Sequence, residues 1–117
     1  MDKKILVVED ETDIVEYMND LLSDNGYIVD SASNGKQAFG KIKEYNPDLI
    51  LLDIQMPEET GVELYRKMFR DKDMNTIPVI IVSGMSAANW AINSRVPVID
   101  KPIDEAALLN QIENMLS

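Results

Sequence analysis

At four places in this chain a polar residue able to do chemistry stands directly after a short apolar run. Glu9-Asp10 follows Ile5–Val8, Asp53 follows Leu49–Leu52, Ser83-Gly84 follows Val79–Val82, and Asp100-Lys101-Pro102 follows Val96–Ile99. Runs of this length, rich in Val and Ile, read as strands. Each polar group therefore sits at the carboxyl end of a strand, the edge where open parallel sheets bind ligands. Wherever the first and third strands are neighbours, Glu9, Asp10 and Asp53 meet in one crevice. Three carboxylates in one place repel each other, so either some take up protons or a cation compensates them. Hard carboxylate oxygens with open positions suit Mg²⁺, which keeps waters and often shares its sphere with a phosphoryl group. The metal would also shield an incoming phosphate from the acidic pocket and polarise it. Asp53 could then attack as a carboxylate nucleophile to give an acyl phosphate. Lys101 would place positive charge beside the new phosphoryl oxygens, and Ser83 would offer one of them a hydroxyl donor.

Taken singly, each residue has an ordinary structural reading. An Asp after a strand is usually a turn or cap residue, and Ser83-Gly84 alone is a turn. Lys101 alone is a solvated surface lysine. Glu9-Asp10 alone could open the next helix near its positive dipole end. The functional reading rests on the set: matched groups on four different strand ends are hard to produce by turn chemistry.

The elements that must position them alternate. Besides the four runs above, Tyr27–Ala32 reads as a strand, mixed in polarity at Asp30 and Ser31 and so suited to a sheet edge. The other runs are nearly continuous, as in parallel strands covered on both faces. Between them lie helical stripes: Ile14, Val15, Met18, Leu21 and Leu22; Ala38, Phe39, Ile42 and Tyr45; Leu64, Tyr65 and Met68; and Leu108, Leu109, Ile112, Met115 and Leu116. Asn25-Gly26 stops the first. Asn34 with Gln37 caps the second, and Asn46-Pro47 ends it. Thr60-Gly61-Val62-Glu63 is a capping-box pattern for the third, and Asp104 caps the last. Ser86–Asn93 reads as a further short helix. The expected order is βαβαβαβαβα, an α/β three-layer sandwich with right-handed crossovers.

The chain has 117 residues, which predicts one domain spanning 1–117. Its formal net charge of −10 disfavours direct binding to nucleic acid. There are no cysteines and no histidines, which excludes disulfides, thiolate metal sites and any phosphohistidine within the chain. No apolar run approaches a membrane span, and the first residues carry no signal-peptide pattern, so a cytoplasmic protein is expected. The sequence ends with its last helical stripe, so no output domain is expected to follow.

At these residues the sequence resembles a response regulator receiver domain over its full length. Lys4-Ile5-Leu6-Val7-Val8-Glu9-Asp10-Glu11 is similar to the family's opening acidic pair. Pro47–Pro57 with Gly61 is similar to its phosphoacceptor segment, Pro78–Gly84 to its switch hydroxyl strand, and Lys101-Pro102 to its lysine and proline. Four motifs in order make the match specific. The resemblance implies a flavodoxin-like (βα)5 fold with sheet order 2-1-3-4-5. It implies Asp53 as phosphoacceptor, with Asp10, Asp53 and the Gln55 backbone carbonyl binding Mg²⁺ and Glu9 acting mainly through water. It places Ser83, Lys101 and the amides of Gln55 and Gly84 against the phosphoryl group, and makes the Lys101–Pro102 bond cis. Gln55 and Met85 fall where the family tunes hydrolysis. The implied partners are a histidine kinase or phosphotransfer protein and a downstream protein target, and the implied self-catalysis is limited to phosphorylation and dephosphorylation of the chain itself.

Two departures stand out. The stretch between Ser83 and Lys101 is shorter than usual by roughly one helical turn, which implies a truncated fourth helix. The aromatic switch position three before the lysine carries Val98. Both fall on the output face, where Trp90 is either a packing residue or a partner anchor. A receiver-fold scaffold that no longer switches is therefore an alternative, as are a receiver part of a hybrid kinase or phosphorelay and a small metal-dependent phosphatase.

Overall fold

A computed structural model describes residues 2–53, 61–83 and 97–117, with the backbone alone at Gly61, Val62, Ser83 and Asp100. The elements run β1 (Lys4–Val8), α1 (Thr12–Asp24), β2 (Ile28–Ala32), α2 (Gly35–Tyr45), β3 (Leu49–Asp53), α3 (Gly61–Arg70), β4 (Val79–Ser83), β5 (Val98–Asp100) and α4 (Glu105–Leu116). The strands form one parallel sheet in the order β2-β1-β3-β4-β5. This is the flavodoxin-like arrangement, with β2 at an edge as its mixed polarity predicts. The short helix expected over Ser86–Asn93 lies outside the described residues, as do Gln55, Gly84, Met85 and Trp90 and the Thr60 capping box.

The continuous apolar runs are explained by two cores, because successive side chains of a strand point to opposite faces. Leu6, Val8, Ile50, Leu52, Val79 and Ile81 face α2 and α3, where Ala38, Ile42, Leu64 and Met68 cover them. Ile5, Val7, Leu49, Leu51, Ile80 and Val82 face α1 and α4 and meet Met18, Leu22, Leu108 and Ile112. Val98 packs against the first of these cores, so the residue at the aromatic switch position is part of the packing.

Local chemistry sets the helix ends. Asn34 accepts the Gln37 backbone N–H at 2.8 Å and Asp104 accepts that of Ala107 at 3.1 Å, each satisfying an orphan donor of a first turn. The Gln37 side chain accepts from the Ser33 N–H at 2.6 Å. Asn46 ends α2 in the left-handed region at φ 52°, a conformation asparagine tolerates. At the β2 edge, Lys41 donates to the Ser31 carbonyl and pairs with Asp30 at 3.1 Å, so a cation guards an edge that could otherwise recruit another strand.

Candidate phosphoacceptor and metal site

Register brings the acids together. β1 and β3 pair so that Val8 faces Leu52, and the next residue on each strand is Glu9 or Asp53. The Glu9 N–H still bonds the Ala32 carbonyl at 3.0 Å, so Glu9 sits on the last rung of the sheet, before α1 begins. Asp10 follows at the mouth. One oxygen from each of Glu9, Asp10 and Asp53 lies within 4.8 Å of the others, a set able to hold a cation. Lys101 arrives from the end of β5, next to Pro102, and the Lys101–Pro102 peptide bond is cis. Its Nζ lies 3.0 Å from Glu9 Oε1 and 3.7 Å from Asp53 Oδ2.

Glu9 and Asp53 are both 3 % exposed. Burial, then the adjacent Asp53 carboxyl, pushes the Glu9 acid up to about 7, against the opposing pull of Lys101 and the Glu11 amide. For Lys101, partial burial lowers proton affinity, but the Glu9 hydrogen bond and the charges of Asp53, Glu9 and Glu11 outweigh it and raise it. The crevice is thus short of positive charge by its own chemistry. One ammonium faces three carboxyls. The donor set fits Mg²⁺: hard oxygens, grouped, with Asp10 open to solvent. The backbone of Ser83 lies at the end of β4, opposite Asp100 in the ladder. Its hydroxyl, and the Gln55 and Gly84 contacts expected from sequence, lie outside the described atoms. The Glu9–Lys101 pair was not foreseen, since nothing in the spacing of two residues so far apart signals it.

The comparisons agree with this geometry. The family model described as response regulator receiver domain matches residues 5–113. Protein Rrf1 of Nitratidesulfovibrio vulgaris is 29% identical over 117 residues, covering 100% of this chain and 85% of its own. The polar-differentiation response regulator DivK of Brucella anthropi is 36% identical over 86 residues, covering 74% of this chain and 70% of its own. Among solved structures, the receiver domain of a signal transduction histidine kinase from Syntrophus aciditrophicus superposes with a TM-score of 0.90 at 30% identity, over 97% of this chain and 89% of that one. Chemotaxis protein CheY4 of Vibrio cholerae, at 23% identity, shares the fold with a TM-score of 0.91 over 99% of this chain and 100% of its own. No described helix is long and apolar enough to cross a membrane. With its motifs, its sheet order and its acidic crevice accounted for, the chain belongs to the response regulator receiver domain family.

Proposed function

We propose that this chain is a phosphorylation-controlled interaction module whose phosphoacceptor is Asp53. The observation that carries the reading is the meeting of Glu9, Asp10 and Asp53 oxygens within 4.8 Å, with the Lys101 ammonium 3.7 Å from Asp53. Asp10 and Asp53 would hold Mg²⁺, which would supply charge neutralisation for an incoming phosphoryl group. An Asp53 carboxylate oxygen bonds to phosphorus as the donor's histidine nitrogen, or the acyl oxygen of a small phosphodonor, leaves with the bonding electron pair. Lys101 is close enough to pair with the new phosphoryl oxygens after a small movement, and the Ser83 hydroxyl would donate to another. The donor is a histidine kinase or phosphotransfer protein, or a small phosphodonor, and the chain acts on no external substrate. The modification would bias a protein-binding face between two states.

The test is beryllofluoride with Mg²⁺, a stand-in for the phosphoryl group. It should perturb backbone amide signals at the ends of β1, β3, β4 and β5, and Asp53→Asn should abolish the change. An unchanged spectrum in wild type would refute the reading. A second reading, a receiver fold that takes the phosphoryl group without switching, is favoured by Val98, half-buried and packed against the core. It expects identical partner affinity before and after phosphorylation.

A further inference from the structure

Charge is divided between the two sides of the sheet. The helices on one side, α1 and α4, carry Asp13, Glu16, Asp20, Asp24, Glu105 and Glu113 and no lysine or arginine. Those on the other, α2 and α3, carry Lys36, Lys41, Lys43, Arg66, Lys67 and Arg70 against Glu44 and Glu63. The net charge of −10 thus hides one acidic and one basic side. At the base of α3 lies a groove of about 200 Å³, by the amino ends of β4 and β5 and so at the end of the sheet away from Asp53. Met68, Met74, Pro78 and Pro97 line it, and Tyr65 and Phe69 of α3 form a wall. Phe69 is 63 % exposed. Arg66 and Arg70, both exposed, are its neighbours on the helix. A lone exposed phenylalanine is ordinary, but an apolar groove rimmed by charge is the make-up of a binding surface.

We propose that this groove receives the acidic side of a second copy of the chain, with Tyr17 as the inserted side chain. Tyr17 is 39 % exposed on α1. Asp13 and Asp20 are its neighbours along the helix, and its hydroxyl donates to Glu105, which steadies the ring. An aromatic ring set among carboxylates thus meets an apolar groove set beside guanidinium groups, so the apolar and the charged parts both find partners. The net repulsion between copies does not decide the matter. At ~0.1 M salt the screening length is ~10 Å, well under the 31 × 31 × 27 Å extents of the molecule. Charges in contact therefore outweigh those on the far sides. Tyr17 and the arginines lie on different sides of the sheet, so one partner cannot engage both. The contact is head-to-tail, and each added copy leaves a free groove at one end and a free Tyr17 at the other.

Sedimentation equilibrium in ~0.1 M salt, with protein up to about 1 mM, the weak end of the affinity scale, provides the test. Weight-average mass should reach at least twice the monomer mass and still be rising. It should return to the monomer value in ~1 M salt, where the screening length is ~3 Å. Two variants at exposed positions separate the surfaces. Arg66→Glu with Arg70→Glu removes the basic rim, and Tyr17→Ala with Asp20→Lys removes the acidic knob. Each alone should be folded by circular dichroism and monomeric. Mixed, they should form a one-to-one pair, because one keeps the knob and the other keeps the groove. A wild-type mass that levels off at twice the monomer would mark a symmetric pair through another surface and overturn the proposal. A wild type that never reaches that mass overturns it too, and leaves the groove to a different acidic partner. So does a mixture that stays monomeric while wild type associates. None of these results depends on Asp53 or on a phosphodonor.

Discussion

Glu9 and Asp53 leave adjacent strands on the same rung, one residue beyond the paired Val8 and Leu52, and both are buried. Two acids so placed cannot both ionise cheaply. Asp53→Asn should therefore let the Glu9 acid fall from about 7 toward the ordinary carboxylate range. Unfolding free energy at neutral pH should rise by about 1 kcal/mol, because a like charge is gone. Carboxyl carbon titration of Glu9 and urea unfolding measure the two effects.

The same burial sets a pH dependence of stability. A carboxyl whose proton affinity is higher folded than unfolded favours the native state most when it is protonated in both states. For Glu9 that stabilisation is complete below 4.5, declines as pH climbs, and is spent above about 7. At ~1.36 kcal/mol per unit the span is about 3 kcal/mol. The comparison is urea unfolding of wild type and Glu9→Gln between pH 5 and 7.5. Wild type should lose stability relative to the variant as pH rises, and parallel curves would contradict the assignment.

Cation binding should displace the Glu9 proton. Between pH 6 and 7, Mg²⁺ should release a fraction of a proton, visible in titration calorimetry as a binding heat that varies with the ionisation enthalpy of the buffer. The release should vanish above pH 8 and in Glu9→Gln. EDTA should lower the melting temperature of the Mg²⁺-loaded protein, and Asp10→Asn should remove that difference.

Packing and surface contacts should separate by size. Leu108 is fully buried against the sheet, and Leu108→Ala should cost about 2–5 kcal/mol. The Tyr17 hydroxyl donates to Glu105 across α1 and α4 at an exposed position, and Tyr17→Phe should cost less than about 1 kcal/mol. Chemical denaturation of both variants gives the ranking.

What could be read from residues alone divides along physical lines. The strands were legible because a strand covered on both faces has to be apolar at nearly every position, as Leu49–Leu52 is. The caps at Asn34 and Asp104 were legible because capping is local. The gathering of Glu9, Asp10 and Asp53 needed one further fact, that β1 and β3 are neighbours, and family resemblance supplied it. The hold of Glu9 on Lys101 was illegible. It depends on how the turn into α1 aims a side chain at the far end of β5, and no spacing rule links those positions. Val98 stood out in sequence only as a missing aromatic; its contact with the core beside α2 and α3 came from the packing.

The central claim concerns Asp53, and intact-protein mass spectrometry after incubation with acetyl phosphate and Mg²⁺ tests it most directly. The account predicts a gain of one phosphoryl group, localised to Asp53 after peptide mapping, lost with EDTA and absent from Asp53→Asn. No mass gain in wild type, or an equal gain in Asp53→Asn, would contradict it.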